Sequence, residues 1–452
     1  VVSVTDNEII EPSGERLKAP PPPPPSKRLG KAMSMAMVVG TIIGSGIYLL
    51  PATTAPFGLN LVIAFAVVTI GTLALAYTMS RLSATLPGGP YSYVAASFGD
   101  TAAFMTMWSY MISLWAAIAA VSIAAAGALG HVVLAIGSGP GLVAFSIAAI
   151  AVLTLVNWNG ARSAGVLQVI ATLLKIVPLV LVVVLVLVQV SSGSPVEPLA
   201  DTPLNFKAVV AAGALMLFAF TGFETAAIAA NVTDNSQDAV PAATFRGTIY
   251  VAVIYLLATL SVLWLLPSAI AAQSAAPFAN AIAPTLGALA GGLVAVIAAV
   301  SAIGTGNACV LSAVETGRAI ANAGDLPPAF ARTNANGVAT LTLLVSAVLS
   351  GLLVLASVSD SFIEVFTFVA LVSAVAALFL YLVCAAAAWK LKVAPAVVAL
   401  LGILYSLGMF VGAGLEATLW GFGLMVAGLP IRWLSRRSTS RAAAGGRAVL
   451  GE

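Results

Sequence analysis

Twelve apolar stretches separated by short polar breaks run through the chain, at about 32–50, 59–79, 101–126, 141–157, 166–190, 208–230, 247–266, 286–313, 339–356, 362–389, 395–411 and 417–433. A helix of roughly twenty residues crosses a hydrocarbon core of about 30 Å, and these runs are of that order. They are rich in Ala, Leu and Val and show no strand-like alternation, which argues for helices rather than a barrel. The pattern predicts an all-α polytopic membrane protein with twelve transmembrane helices. Ahead of the first stretch, residues 1–30 are polar and contain an unbroken proline run from Pro20 to Pro25, which reads as a disordered, Pro-rich tail and not as a cleavable leader.

Two of the stretches are interrupted. The first reads Gly, Thr, Ile, Ile, Gly, Ser, Gly, Ile, Tyr, Leu, Leu, Pro from Gly40 to Pro51, and Gly44, Ser45 and Gly46 fall near its middle, where glycine favours a helix least. Lipid cannot satisfy the backbone groups that a break releases, so the break must line a protein-enclosed cavity. The N–H groups of Ser45 to Ile47, at the positive end of the following half-helix, suit an anion, while carbonyls near Thr41 to Ile43 suit a cation. A zwitterion fits that pair of ends. The sixth stretch carries the second interruption, from Phe218 through Thr221 and Gly222 to Glu224. Gly-interrupted helices at corresponding places in two halves point to a transporter site between inverted repeats. This divides the chain into a tail (1–30), two five-helix repeats (31–190 and 191–392), helices 11 and 12 (393–434) and a basic tail (435–452).

Charge placement sets the orientation. Of the 19 Lys and Arg, seventeen fall on one side of the twelve-span arrangement, in the two tails and alternate loops, which makes that side and both termini cytoplasmic. Lys207 lies opposite and Lys175 falls inside the fifth stretch. With 61% hydrophobic and 8% charged residues, and a mean hydropathy of +1.08, the net charge of +3 carries no sign of a nucleic-acid partner. The two cysteines, Cys309 and Cys384, both lie in apolar stretches, so no extramembrane disulfide framework is expected. The stretches offer no metal-ligand cluster, no nucleophile with its base and no phosphate-cradling loop. An enzyme, a cofactor and an ATP-driven pump are therefore disfavoured.

Four segments carry a resemblance. Gly40 to Pro51, Leu86 to Tyr93 (Leu, Pro, Gly, Gly, Pro, Tyr, Ser, Tyr), Phe220 to Glu224, and Arg318 to Ala331 with its Gly324, Asp325, Leu326, Pro327 and Pro328 resemble the amino acid, polyamine and organocation transporter superfamily. Within it, the chain is similar to the basic amino acid and polyamine antiporter group, over about residues 31–433. The resemblance implies a leucine-transporter-like fold with discontinuous helices 1 and 6, in the inner membrane. Spans one, two, six and seven would rock against a scaffold of three, four, eight and nine. It also implies that Gly44, Ser45, Gly46 and Ile47 hold the substrate carboxylate, and that the carbonyls of Ile43, Phe218 and Thr221, beside Thr41 and Ala219, hold its ammonium.

Lys175 lies about ten residues into its span, near the midplane, where an ionised lysine costs roughly 2.5–3.5 kcal/mol on insertion scales. It is either a structural lysine neutralised by helix-end carbonyls or a proton-coupling group. In relatives a lysine here stands where sodium binds in sodium-coupled cousins, which implies contacts to carbonyls near Gly40 and Thr41 and to the hydroxyl of Thr305. Arginine/agmatine antiporters lack it. Glu224, at the start of the second half of span six, is a cap or a proton-sensitive gate. The resemblance sets Phe218 and Cys309 where aromatic rings stack on arginine, and Cys309 supplies no ring. Tyr110 and Trp115 are further lining candidates, and His131, the only histidine, reads as an interface residue. The expected function is alternating-access, proton-coupled uptake of a neutral amino acid, with the substrate, protons and the lipid bilayer as partners, no nucleic acid, and either a monomer or a homodimer as the assembly. The alternatives are exchange of cationic amino acids or polyamines, and a non-transporting amino acid sensor.

Overall fold

The computed structural model describes residues 8–10, 16–18, 39–40, 42–86, 89–159, 164–224, 236–356 and 361–449. In the tail, where no regular structure was expected, strands β1 (Glu8–Ile10) and β2 (Arg16–Lys18) form a short antiparallel pair. Its register sets Glu8 opposite Lys18.

Within the described residues, the apolar stretches are helical over most of their length. After the break in the first stretch comes α1 (Ser45–Thr54), then α2 (Asn60–Thr85). A ten-residue helix, α3 (Gly89–Phe98), leads into α4 (Asp100–Gly130), followed by α5 (Gly139–Trp158) and α6 (Ala164–Ser191). The second half runs through α7 (Phe206–Phe220), α8 (Ser236–Leu265), the short α9 (Ser268–Ala271) and α10 (Pro277–Leu286). It continues with α11 (Ala288–Asn322), α12 (Thr340–Ala356) and α13 (Phe362–Lys390). The last run, α14 (Ala396–Val449), is divided at Gly414, whose φ of 84° lies in the left-handed region that a Cβ disfavours. That point separates the eleventh and twelfth apolar stretches.

Among the described residues, eight helices are long and apolar enough to cross a membrane. Two more, α7 and α12, are shorter apolar helices of 15 and 17 residues. Local chemistry sets several ends. Ser361 and Glu364 form a reciprocal capping box that starts α13. Asn205 caps α7 by accepting from the Ala208 N–H at 2.7 Å, while its own N–H donates to Asn60 Oδ1 at 3.0 Å, so the starts of α2 and α7 are tied together.

Burial separates the central helices from those at the lipid boundary. In their apolar windows, 89% of α4 and 78% of α13 are buried, against 28% of α5. The core is therefore α4, packed on α11 and α13, with α14 against α13. The exposed Leu and Val side chains of the outer helices, Leu155, Leu187, Leu352 and Leu404 among them, form the surface that lipid covers. The two short helices α3 and α10 occupy segments that the sequence leaves as loops. Ten residues cannot cross a membrane, and each instead buries one side, Tyr93 and Val94 in α3, Phe278 and Ile282 in α10.

Candidate functional site

The first stretch breaks where its glycines require it. Ile43 makes the last helical bond, to Val39 at 2.9 Å, and Gly44 at φ −117°, ψ −149° leaves the helix before α1 restarts at Ser45. No side chain caps that restart, so the N–H groups of Ser45, Gly46 and Ile47 form its positive end. Ser45 is 3% exposed, and its hydroxyl is buried without a partner. Two close approaches explain the flanking glycines. A Cβ on Gly46 would stand 2.6 Å from the Ala219 Cα in α7, and one on Gly44 would stand 2.8 Å from the Thr305 hydroxyl in α11. Ile43 and Ile47 are wholly buried, and Thr41 lies outside the described residues. Two hydroxyls reach into the break: Tyr255 donates to the Ile42 carbonyl at 2.7 Å and Ser301 to the Gly44 carbonyl at 3.4 Å.

A buried orphan hydroxyl adds nothing to the empty protein and is available to a ligand. Ser45→Ala is therefore expected to leave the melting temperature of the ligand-free protein unchanged or slightly raised. The same change should weaken substrate binding about tenfold, as loss of one charge-assisted hydrogen bond does. Thermal shift with and without substrate reads both effects.

The second stretch breaks at Phe220. Thr221 turns to extended backbone at φ −63°, ψ 152°, and Gly222 adopts φ 114°. The Thr221 hydroxyl donates to the Phe218 carbonyl at 2.7 Å, and Phe218 packs edge-on against Phe366 at 5.8 Å. Glu224 is 4% exposed and held from three sides. Tyr110 donates to one carboxylate oxygen at 3.1 Å, while Tyr381 and the Gly222 N–H donate to the other at 3.0 and 2.9 Å. The Glu224 backbone N–H donates to the carboxylate as well, and among the described residues all of these donors are uncharged.

Glu224 lines a cavity of about 50 Å³. Tyr110, Ser113, Leu114 and Ala117 line it from α4, Thr305, Ala308, Cys309 and Ser312 from α11, and Ser373 from α13, with Thr221, Gly222 and Glu224 at the break. The spacing i, i+3, i+4, i+7 on both α4 and α11 makes two facing helical stripes of small and hydroxyl side chains. Beyond the first break, a gap of about 10 Å³ lies between Ser45, Tyr48 and Phe278, and a larger cavity of about 260 Å³ is lined by His131, Ser138 and Asn280.

Lys175 is 1% exposed and donates to the Gly40 carbonyl at 3.3 Å, in the segment before the first break. Its own carbonyl accepts from Tyr48, in α1, at 2.7 Å. It therefore touches the first stretch on both sides of the interruption. Thr305 does not reach it: that hydroxyl donates to the Ser301 carbonyl of its own helix at 3.1 Å and closes over Gly44. Trp115 turns away from the cavity to donate to Ser346 at 2.9 Å. The structure thus brings Tyr110, Thr221, Glu224, Thr305 and Cys309 to one cavity, and sets Gly46 directly on Ala219. The sequence reading missed Tyr381, Tyr255, Tyr48 and Ser301. The available signal was a polar side chain within an apolar stretch.

The sequence of residues 30–411 matches the amino acid permease family. Among similar proteins, the cadaverine/lysine antiporter of Escherichia coli strain K12 is 28% identical over 341 residues, 74% of this chain and 76% of that protein. The putrescine transporter PotE of Haemophilus influenzae is 27% identical over 414 residues, 88% of this chain and 94% of that protein. PotE of Escherichia coli strain K12 is 27% identical over 418 residues, 88% and 93% of the respective chains. With its apolar spans, its two breaks and a match over most of its length, the chain belongs to the amino acid permease family and is a membrane transporter, not an enzyme.

Proposed function

We propose that the protein exchanges a cationic amino acid for a related amine across the inner membrane. The observation that carries this reading is Glu224, a buried carboxylate whose donors among the described residues are all uncharged, in the wall of a cavity otherwise lined mainly by hydroxyls and small apolar groups. An amino acid's carboxylate meets the N–H groups of Ser45 to Ile47 and the unpartnered Ser45 hydroxyl, and its distal ammonium meets Glu224. A diamine lacks the carboxylate and uses the second contact alone. The named activities of the relatives, cadaverine/lysine antiport and putrescine transport, support exchange of cations over uptake of neutral amino acids. In this reading the chain spans the bilayer twelve times, with both termini cytoplasmic, in two inverted repeats of five helices followed by the two halves of α14. The breaks before α1 and after α7 are the discontinuities of helices 1 and 6.

Counterflow in proteoliposomes tests it. Labelled lysine is expected to enter vesicles loaded with lysine, cadaverine or putrescine, and not empty ones. A second reading, proton-coupled uptake, is favoured by one observation, the buried Lys175 on the Gly40 carbonyl. Uptake of a neutral amino acid into empty vesicles, driven by an imposed pH gradient and lost in Lys175→Ala, would favour that reading and sink the first.

A further inference from the structure

Two of the recognisable segments, Leu86 to Tyr93 and Arg318 to Ala331, take no part in the cavity, yet they meet. Asp325, wholly buried just beyond the end of α11, accepts from the Tyr91 hydroxyl of α3 at 2.7 Å. Its other oxygen accepts from Arg432 Nε and Arg436 Nε, both at 2.8 Å and both on α14. Arg432 donates in turn to the Thr101 hydroxyl in the first turn of α4 at 2.6 Å and lies over the Phe104 ring at 5.5 Å. Arg436 also lies 3.6 Å from Asp100. Arg432 is 8% exposed, one of its terminal nitrogens is buried without a partner, and its ion pair is with Asp325. Burial and the Asp325 carboxylate raise the Tyr91 phenol above its ordinary value, so it stays a donor.

The cluster stands at the inner ends of the two helices that wall the cavity. Thr101 precedes the lining residue Tyr110 by nine positions, about 14 Å of helix, and Asp325 follows Ser312 by thirteen, about 20 Å if helical throughout. Both arginines lie beyond residue 411, where the match to the family ends. We propose that Asp325 is the knot of a cytoplasmic clasp. Tyr91 ties α3, which follows span two, to the inner end of α11, while Arg432 fixes Asp325 against α14 and the start of α4, and the clasp so limits how far span two swings away and the cavity opens inward. Asp325 and Arg432 are positioning residues, since neither touches the cavity. The inference rests on that cavity being the substrate path.

Cys309 supplies the readout, because it lines the cavity while Cys384 is wholly buried. Its rate of labelling by a charged methanethiosulfonate is measured in inside-out and right-side-out vesicles of the full chain, with Cys309→Ser giving the background. Labelling from the cytoplasmic side is expected to rise about fivefold in Tyr91→Phe and in Arg432→Lys, and about tenfold or more in Arg432→Gln, the factors that single neutral and charge-assisted hydrogen bonds supply to an equilibrium. Labelling from the outer side should stay level or fall. A general loosening would raise both, so an equal rise from the two sides overturns the clasp. Cytoplasmic rates within about twofold of the unaltered chain in Tyr91→Phe and Arg432→Lys overturn it as well. Those two mild variants decide the matter if Arg432→Gln does not fold.

Discussion

Glu224→Gln is expected to lower kcat/KM for lysine or a diamine by about 30-fold to more than 1,000-fold. Truncating one partner of a buried, hydrogen-bonded charge pair costs about 2–5 kcal/mol, and each 1.4 kcal/mol is a factor of ten. Gln fills the same space and keeps one carbonyl oxygen for Tyr110 or Tyr381, so the break itself should survive. The group facing the ligand is then neutral, and its amide N–H groups oppose a donor. Both effects fall on a cationic substrate, while a neutral amino acid of similar length loses little. The check is competition: lysine, putrescine and norleucine are tested against labelled substrate in the parent and in Glu224→Gln. If the variant keeps the parent's preference for cations, Glu224 is not the ammonium site and the exchanger reading loses its carrying observation.

Gly46→Val has the second largest expected effect, by a different route. Its Cβ would stand 2.6 Å from backbone Cα and 2.8 Å from Cβ of Ala219, and backbone cannot swing aside as a flexible side chain can. The two broken spans must therefore separate, and the N–H groups that meet the carboxylate move with them. Overpacking of this kind costs about 1–3 kcal/mol or more, so the variant should melt several degrees lower. It should also gain no thermal stabilisation from an amino acid, where the parent at about 100 times its dissociation constant gains roughly 2.7 kcal/mol. A diamine has no carboxylate and is expected to retain part of its stabilisation. Normal stabilisation by lysine in Gly46→Val would remove the first break from carboxylate binding.

The two interruptions were legible in the sequence because Gly-bearing breaks fall at corresponding places in the two halves; glycine alone is not enough, since Gly304 and Gly306 stay helical within α11. Lys175 was legible for another reason: a charge near the midplane of a span needs a partner, and broken backbone is the nearest acceptor. The partners of Glu224 were not legible. Tyr381 lies 157 residues away, and a tyrosine in an apolar span does not reveal which neighbour its hydroxyl will meet. The same limit hid Tyr255 on the Ile42 carbonyl. Thr305 was expected on the lysine ammonium. The structure gives its hydroxyl a carbonyl one turn back in α11, an acceptor available to any threonine in a helix. Arg432 and Arg436 entered the sequence reading only as charges on the cytoplasmic side, because their partner Asp325 is 107 and 111 positions earlier.

Tyr48 has one further consequence. Its hydroxyl is seated on the Lys175 carbonyl of α6, and its ring packs edge-on against Phe278 of α10 at 5.3 Å, beside the small gap next to Ser45. A phenol is a rigid plate with its polar and apolar ends fixed relative to each other. Tyr48 therefore acts as a strut between α10 and α6. If α10 lifts, the ring loses its packing partner; if α6 shifts, the hydroxyl loses its acceptor. α10 and the backbone that carries Lys175 are thus geared to each other through a single side chain, and neither can be displaced far without disturbing the other.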